Sequence, residues 1–133
     1  VYTLLSPDES RNLHLKIGSL VLLNSTEEEC DNMLFFIVDQ LNKGASLIKD
    51  ENKKIELSKL NLQAAQKAIK SSAYGPATEY LRTGLEYIGE YYWENEYDLS
   101  LELFTSLVEC LYCTGNYDEI EVLVEEIFEH ATC

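Results

Sequence analysis

Four cysteines, Cys30, Cys110, Cys113 and Cys133, and two histidines, His14 and His130, are the side chains in this 133-residue sequence with the widest chemical capacity. Cys110 and Cys113 form a C-x-x-C, and His130 with Cys133 would complete a four-donor set of the kind that holds zinc. The setting opposes that use. The C-x-x-C falls inside a helical pattern rather than on a Gly-rich knuckle, and Cys30 lies on an apolar stripe where a free thiol packs as a small hydrophobe. Reduced, partly buried thiols in a cytoplasmic protein are therefore expected, with no metal bound. No Lys or Arg follows Arg82, so no cation stands near the later cysteines to lower a thiol pKa. Glu126 precedes His130 by four residues rather than three, the wrong spacing for a di-iron bundle. His14 and His130 read as partly exposed helix residues without special chemistry.

Signatures of catalysis are missing. The chain has no G-x-x-x-x-G-K-[ST] phosphate loop, no G-x-G-x-x-G, no G-x-S-x-G elbow and no H-E-x-x-H. The expectation is a non-catalytic segment without a cofactor. Charge narrows the partners. The 24 acids and 10 Lys or Arg give a net charge of −14, which repels phosphate backbones and argues against nucleic-acid binding. The imbalance is local: residues 83–133 hold thirteen acids and no Lys or Arg, whereas residues 1–82 are nearly balanced. This half is either a solvated acidic face or a docking surface for a basic segment. The longest apolar run, Met33 to Val38, is six residues, far short of the roughly 20 that span a bilayer. No membrane partner or signal peptide is expected. The first residue is Val1 rather than Met, which reads as a piece of a longer polypeptide.

Six Gly and two Pro are too few for the turns of an all-β chain, and the apolar spacing predicts six helices. Ser6-Pro7 caps a first helix to about Leu23. Thr26 and Glu29 form a capping box for a second, whose inward stripe is Cys30, Met33, Leu34, Ile37, Val38 and Leu41 and which stops at Lys43-Gly44. A third, roughly Glu51 to Ser71, turns Leu57, Leu60, Ala64, Ala65, Ala68 and Ile69 inward. A tight turn over residues 72–76 leads to the fourth, with Ala77, Tyr80, Leu81, Gly84, Leu85 and Ile88. A connection holding Tyr91, Tyr92, Trp93 and Tyr97 leads to the fifth, with Leu101, Phe104, Leu107, Val108 and Leu111. Those aromatics would form an exposed patch for a partner or seal the junction. After Gly115-Asn116 the sixth buries Ile120, Leu123, Val124, Ile127, Phe128 and Ala131.

The stripes recur in pairs. Tyr74-x-x-Ala77-x-x-Tyr80-Leu81-x-x-Gly84 matches a set from Tyr117 to Ile127 at an offset of 43 residues, and a set from Glu27 to Ile37 precedes it by 47. Apolar or small residues sit in register on the preceding helices: Gly18 and Val21, Ala65 and Ala68, Val108 and Leu111. Tyr74 and Tyr117 then serve as wedges at the turns. The pattern resembles tetratricopeptide repeats with lengthened connections. The expected fold is all-α, a single domain of three stacked antiparallel helix pairs (residues 6–44, 50–89 and 93–131) in a right-handed solenoid.

Several runs, taken together, are more specific. They are Leu13-His14-Leu15-Lys16-Ile17-Gly18, the stretch Val38 to Ala45, the stretch Leu60 to Ala68, Ser71-Ser72-Ala73-Tyr74, Trp93-x-x-x-Tyr97 and Gly115-Asn116-Tyr117. In this order and spacing they resemble the helical-repeat region of large bacterial, mainly cyanobacterial, STAND-type signalling ATPases. That resemblance implies neighbouring Ser/Thr kinase, AAA-like ATPase, GAF or PAS and histidine kinase domains elsewhere in the polypeptide. Cys113 departs from the pattern, where a larger apolar residue is expected. What the resemblance implies is a cytoplasmic protein–protein interaction and coupling module. By repeat register, a partner groove would present Asn12, Ser19, Lys59, Gln66, Lys70, Glu102, Glu109 and Tyr112. The alternatives are a free-standing adaptor for a basic peptide and a zinc-dependent regulatory domain.

Overall fold

The computed structural model describes residues 6–88 and 92–130, and among them all regular structure is helical. In chain order the helices are α1 (Pro7–Asn24), α2 (Glu27–Asn32), α3 (Leu34–Lys43), a 3-10 turn (Ala45–Leu47), α4 (Glu51–Lys70), α5 (Tyr74–Ile88), α6 (Tyr92–Asn95), α7 (Tyr97–Thr114) and α8 (Tyr117–His130). Neighbouring helices pack antiparallel. The chain divides into two compact units, Val1–Leu57 and Ser58–Cys133. The expected positions Tyr91, Ala131 and Cys133, and the side chain of Tyr92, lie outside the described residues.

In the first unit α1 packs along α3. The Ser6 side chain accepts the Glu9 amide and Pro7 opens the helix, as the sequence requires. The capping box forms in both directions, Glu29 N–H to Thr26 Oγ1 at 3.2 Å and Thr26 N–H to Glu29 Oε1 at 2.9 Å. These bonds hold the Glu29 carboxyl below its usual 4.5. The second predicted helix is interrupted at Met33 (φ −105°, ψ 14°). Its hydrogen bonds continue, Met33 N–H to Glu29 O and Ile37 N–H to Met33 O, each 2.9 Å, so the interruption is a distortion rather than an end. Met33 itself turns outward, 39% exposed, and leaves the expected stripe, while Leu34, Ile37, Val38 and Leu41 are buried.

Two glycines set how closely these helices approach. A Cβ on Gly18 would fall 2.8 Å from Leu41 Cγ, and one on Gly44 would fall 2.5 Å from the Arg11 carbonyl oxygen. Gly44 has φ −100°, so its role is close approach and not the left-handed cap expected of a helix stop. His14 Nδ1 meets Gln40 Oε1 at 2.6 Å across the same contact.

In the second unit α5 packs on α7, and α7 on α6 and α8. Leu81, Leu103, Leu107, Cys110 and Leu111 are fully enclosed. Ser58, on the buried side of α4, donates to the Gly84 carbonyl at 2.7 Å, and Gly84 leaves just enough room for Leu103. Ser58, Asn61 and Ser100 are buried polar residues that apolar spacing could not flag. The turn after α4 also differs from expectation. The left-handed residue is Ser72 (φ 59°), with Ala73 N–H bonded back to Ala68 O at 2.8 Å. Gly75 and Pro76 already belong to α5, where Pro fits the first turn. Gly115 (φ 80°) caps α7 in the left-handed conformation.

The last helix is the least covered. None of α8 is fully buried, and Phe128, placed inward by periodicity, is 78% exposed.

Candidate interaction surface

The eight groove candidates fall on three helices. Asn12 (exposed) and Ser19 (half-buried) share one face of α1 in the first unit; the other six belong to the second. Lys59 and Lys70 are exposed and Gln66 half-buried, all on one side of α4 by their spacing of seven and four residues. Glu102, Glu109 and Tyr112 are exposed on α7. Each helix presents its set as one stripe.

Tyr112 is joined by a residue placed elsewhere by the sequence. Tyr117, expected as a buried wedge, is 60% exposed and meets the Tyr112 ring edge-on with centroids 5.8 Å apart. Tyr74, the equivalent in the preceding pair, is half-buried. The Cys113 thiol beside its hydroxyl, together with desolvation, raises the phenol above its usual 10.0. The unexpected Cys113 thus lies beside Tyr74 at the α5–α7 contact.

Within the aromatic connection, Trp93 belongs to the core and Tyr97 is half-buried. Trp93 is 8% exposed. It stacks on Phe104 and on His130 at 5.3 Å each, tilts against Tyr97 at 5.8 Å, and donates its indole N–H to Glu126 Oε1 at 3.2 Å. His130 Nε2 lies 3.6 Å from the same carboxylate. Neither histidine is a free surface group.

Arg82 on α5 holds Glu119 of α8 through two bonds, 2.6 and 2.8 Å. The guanidinium keeps the Glu119 carboxyl below its usual 4.5. Its contribution to stability is full above that pH and is lost as pH falls below it. With both side chains about two-fifths exposed, the gain is at most about 1 kcal/mol. Arg82→Gln should lower the unfolding midpoint slightly at pH 7, and by less as the pH is taken below 4.5, compared by thermal melts.

Of the four donors read from the sequence, Cys110, Cys113 and His130 are described and Cys133 is not. Among the described residues the donors close enough to share an ion are Glu126, Glu129 and His130, and neither Cys110 nor Cys113 is among them. Cys110 is buried and its thiol is raised above the ordinary 9.0 by desolvation; Cys113 is exposed. Brief alkylation of the native protein, mapped by mass spectrometry, should label Cys113 and spare Cys110 until denaturant is added. Equal labelling would show that α7 is not packed as described. Among the described residues no helix is long and apolar enough to cross a membrane.

No family model matches the chain, and no solved structure does. Over 147 aligned positions, 93% of this chain, it is 26% identical to "Hybrid signal transduction histidine kinase G" of Dictyostelium discoideum. It spans only 4% of that protein's length. The chain is thus an all-helical segment distantly related to a region of a large hybrid signal-transduction histidine kinase.

Proposed function

We propose that this segment is a non-catalytic interaction and coupling module of a multidomain signal-transduction protein. The observation that carries the reading is the relationship over nearly the whole chain to a small part of a hybrid histidine kinase. The kinase, and any ATPase or sensor activity implied by the STAND-like resemblance, would reside in other parts of such a polypeptide. The helix pairs support a role in contacts. They recur in register, use Gly18 and Gly84 to pack closely, and would stack as a tetratricopeptide-like solenoid with its partner groove on the first helix of each pair. The partners are then proteins, either neighbouring domains of the same chain or a peptide, met in the cytoplasm. A free-standing adaptor for a basic peptide is the second reading, favoured by thirteen acids without a Lys or Arg over residues 83–133.

The test is the native polypeptide carrying this segment, sized by immunoblot and intact mass from source cells. A product many times the 15.2 kDa of this chain is expected, and deletion of the segment from it should change phosphotransfer output. A product of about 15 kDa would overturn the coupling role and leave the adaptor.

A further inference from the structure

Three exposed aromatic rings lie along one edge of α7 and α8. Tyr112 is 66%, Tyr117 60% and Phe128 78% exposed. Tyr117 and Phe128 are eleven residues apart, which returns them to the same side of α8 after three turns. Val124, half-buried, fills the position between them. The edge is thus an apolar ridge about 16 Å long, extended past Tyr117 by the Tyr112 ring that touches it. Rings this exposed, in line and continuous, mark a contact surface more than a scatter of single apolar residues does.

The flank of the ridge is acidic. Glu121 and Glu125 follow Tyr117 by four and eight residues, directly beside it on the helix surface, and both are exposed. At the Tyr117 end, Gly115, Asn116, Tyr117, Asp118 and Glu119 line a recess of about 390 Å³, with room for a long cationic side chain.

Charge selects among occupants. A second copy meeting through the same edge would set Glu121 and Glu125 against their own counterparts, and a nucleic acid or an anionic membrane would be repelled. A partner with apolar residues along one face and Lys or Arg beside them is attracted and matched. A helix supplies that pattern over three turns, with ridges that interlock with those of α8.

We propose that the Tyr112–Tyr117–Phe128 ridge of α7 and α8 docks a basic amphipathic helix. This rests on the interaction-module reading and names the chemistry of one partner.

The test uses the whole chain and a fluorescent synthetic peptide of about three turns with Leu on one face and Lys and Arg beside it, read by anisotropy. A scrambled peptide of identical composition is the control. The ordered peptide should bind, and affinity should fall steeply with salt. Phe128→Ser should weaken it about tenfold or more, the scale of a lost aromatic anchor, without moving the melting temperature, because the side chain is already largely in solvent. Glu121→Lys with Glu125→Lys should weaken it similarly and flatten the salt dependence. Equal binding of the scrambled peptide, or unchanged affinity of Phe128→Ser, would overturn the proposal. So would a dimer in sedimentation that Phe128→Ser dissolves, which would assign the ridge to a second copy. Failure here leaves the coupling reading standing if deletion of the segment still alters the parent protein's phosphotransfer. Peptide binding with no effect of deletion would reject coupling and keep the docking surface.

Discussion

Trp93→Ala will destabilise the second unit by about 3–5 kcal/mol, the range for emptying a buried aromatic site. The indole is the only one in the chain. It is held between the Phe104 and His130 rings, so truncation leaves two faces without partners. It also deprives Glu126 of the indole N–H at 3.2 Å, removing one hydrogen bond from a half-buried carboxylate. Offset stacking adds to the loss beyond area alone. Because the variant lacks the natural fluorophore, the measurement is urea unfolding followed by far-UV circular dichroism. Trp93→Phe should recover most of the packing and none of the hydrogen bond, falling between the two. A loss below about 1 kcal/mol for Trp93→Ala would place the ring outside the core that unites α6, α7 and α8.

In the first unit, Gly44→Ala should cost about 3 kcal/mol, the upper end of ordinary overpacking. The added methyl meets the Arg11 carbonyl oxygen at 2.5 Å, Leu15 Cβ at 2.7 Å and the Leu15 amide nitrogen at 3.0 Å. Two of these atoms are backbone and cannot rotate aside, so α1 must shift. Gly75→Ala is the internal control. Nothing lies within 4 Å of the added carbon, the residue is helical, and the exchange should be neutral or stabilise by about 0.5–1 kcal/mol. Hydrogen exchange resolved by segment separates the outcomes. Protection should fall across α1 and α3 in Gly44→Ala and stay level in Gly75→Ala. Unchanged protection in the first variant would mean that α1 does not approach Gly44 so closely.

How much of this was readable follows from where each signal resides. Helix beginnings are local chemistry, so Ser6 with Pro7 and Thr26 with Glu29 were legible residue by residue. The break at Gly115-Asn116 was equally plain, though its left-handed backbone was not. Gly44 was assigned the right place for the wrong reason, since its demand comes from α1, far away in sequence. Ser72 was missed because Gly75 and Pro76 three residues on are stronger turn formers on paper, yet Pro suits a first helical turn equally well. Periodicity finds an apolar stripe but not what covers it. That is why Phe128 and Tyr117 read as buried, and why the paired aromatic edge of α7 and α8 emerged only once the helices were assembled. Trp93 posed the reverse problem: it sits among tyrosines in sequence, and only Phe104 and His130, distant in sequence, show that it is enclosed.

The grip of Arg82 on Glu119 has a practical sequel. Arg82 is the last residue that trypsin recognises, and the bond after it lies mid-way along α5, between the enclosed Leu81 and the buried Gly84. A protease needs several residues of extended strand, which α5 yields only when the unit opens. Beyond that bond the enzyme has no further foothold through residue 133, so the fragment released would carry residues 83–133 intact. Its rate of appearance is a clock for opening of the second unit, legible on a gel without any label. The same stretch is invisible to acetylation, ubiquitination and amine cross-linking, so any regulation written on lysine in this chain is confined to its first 82 residues.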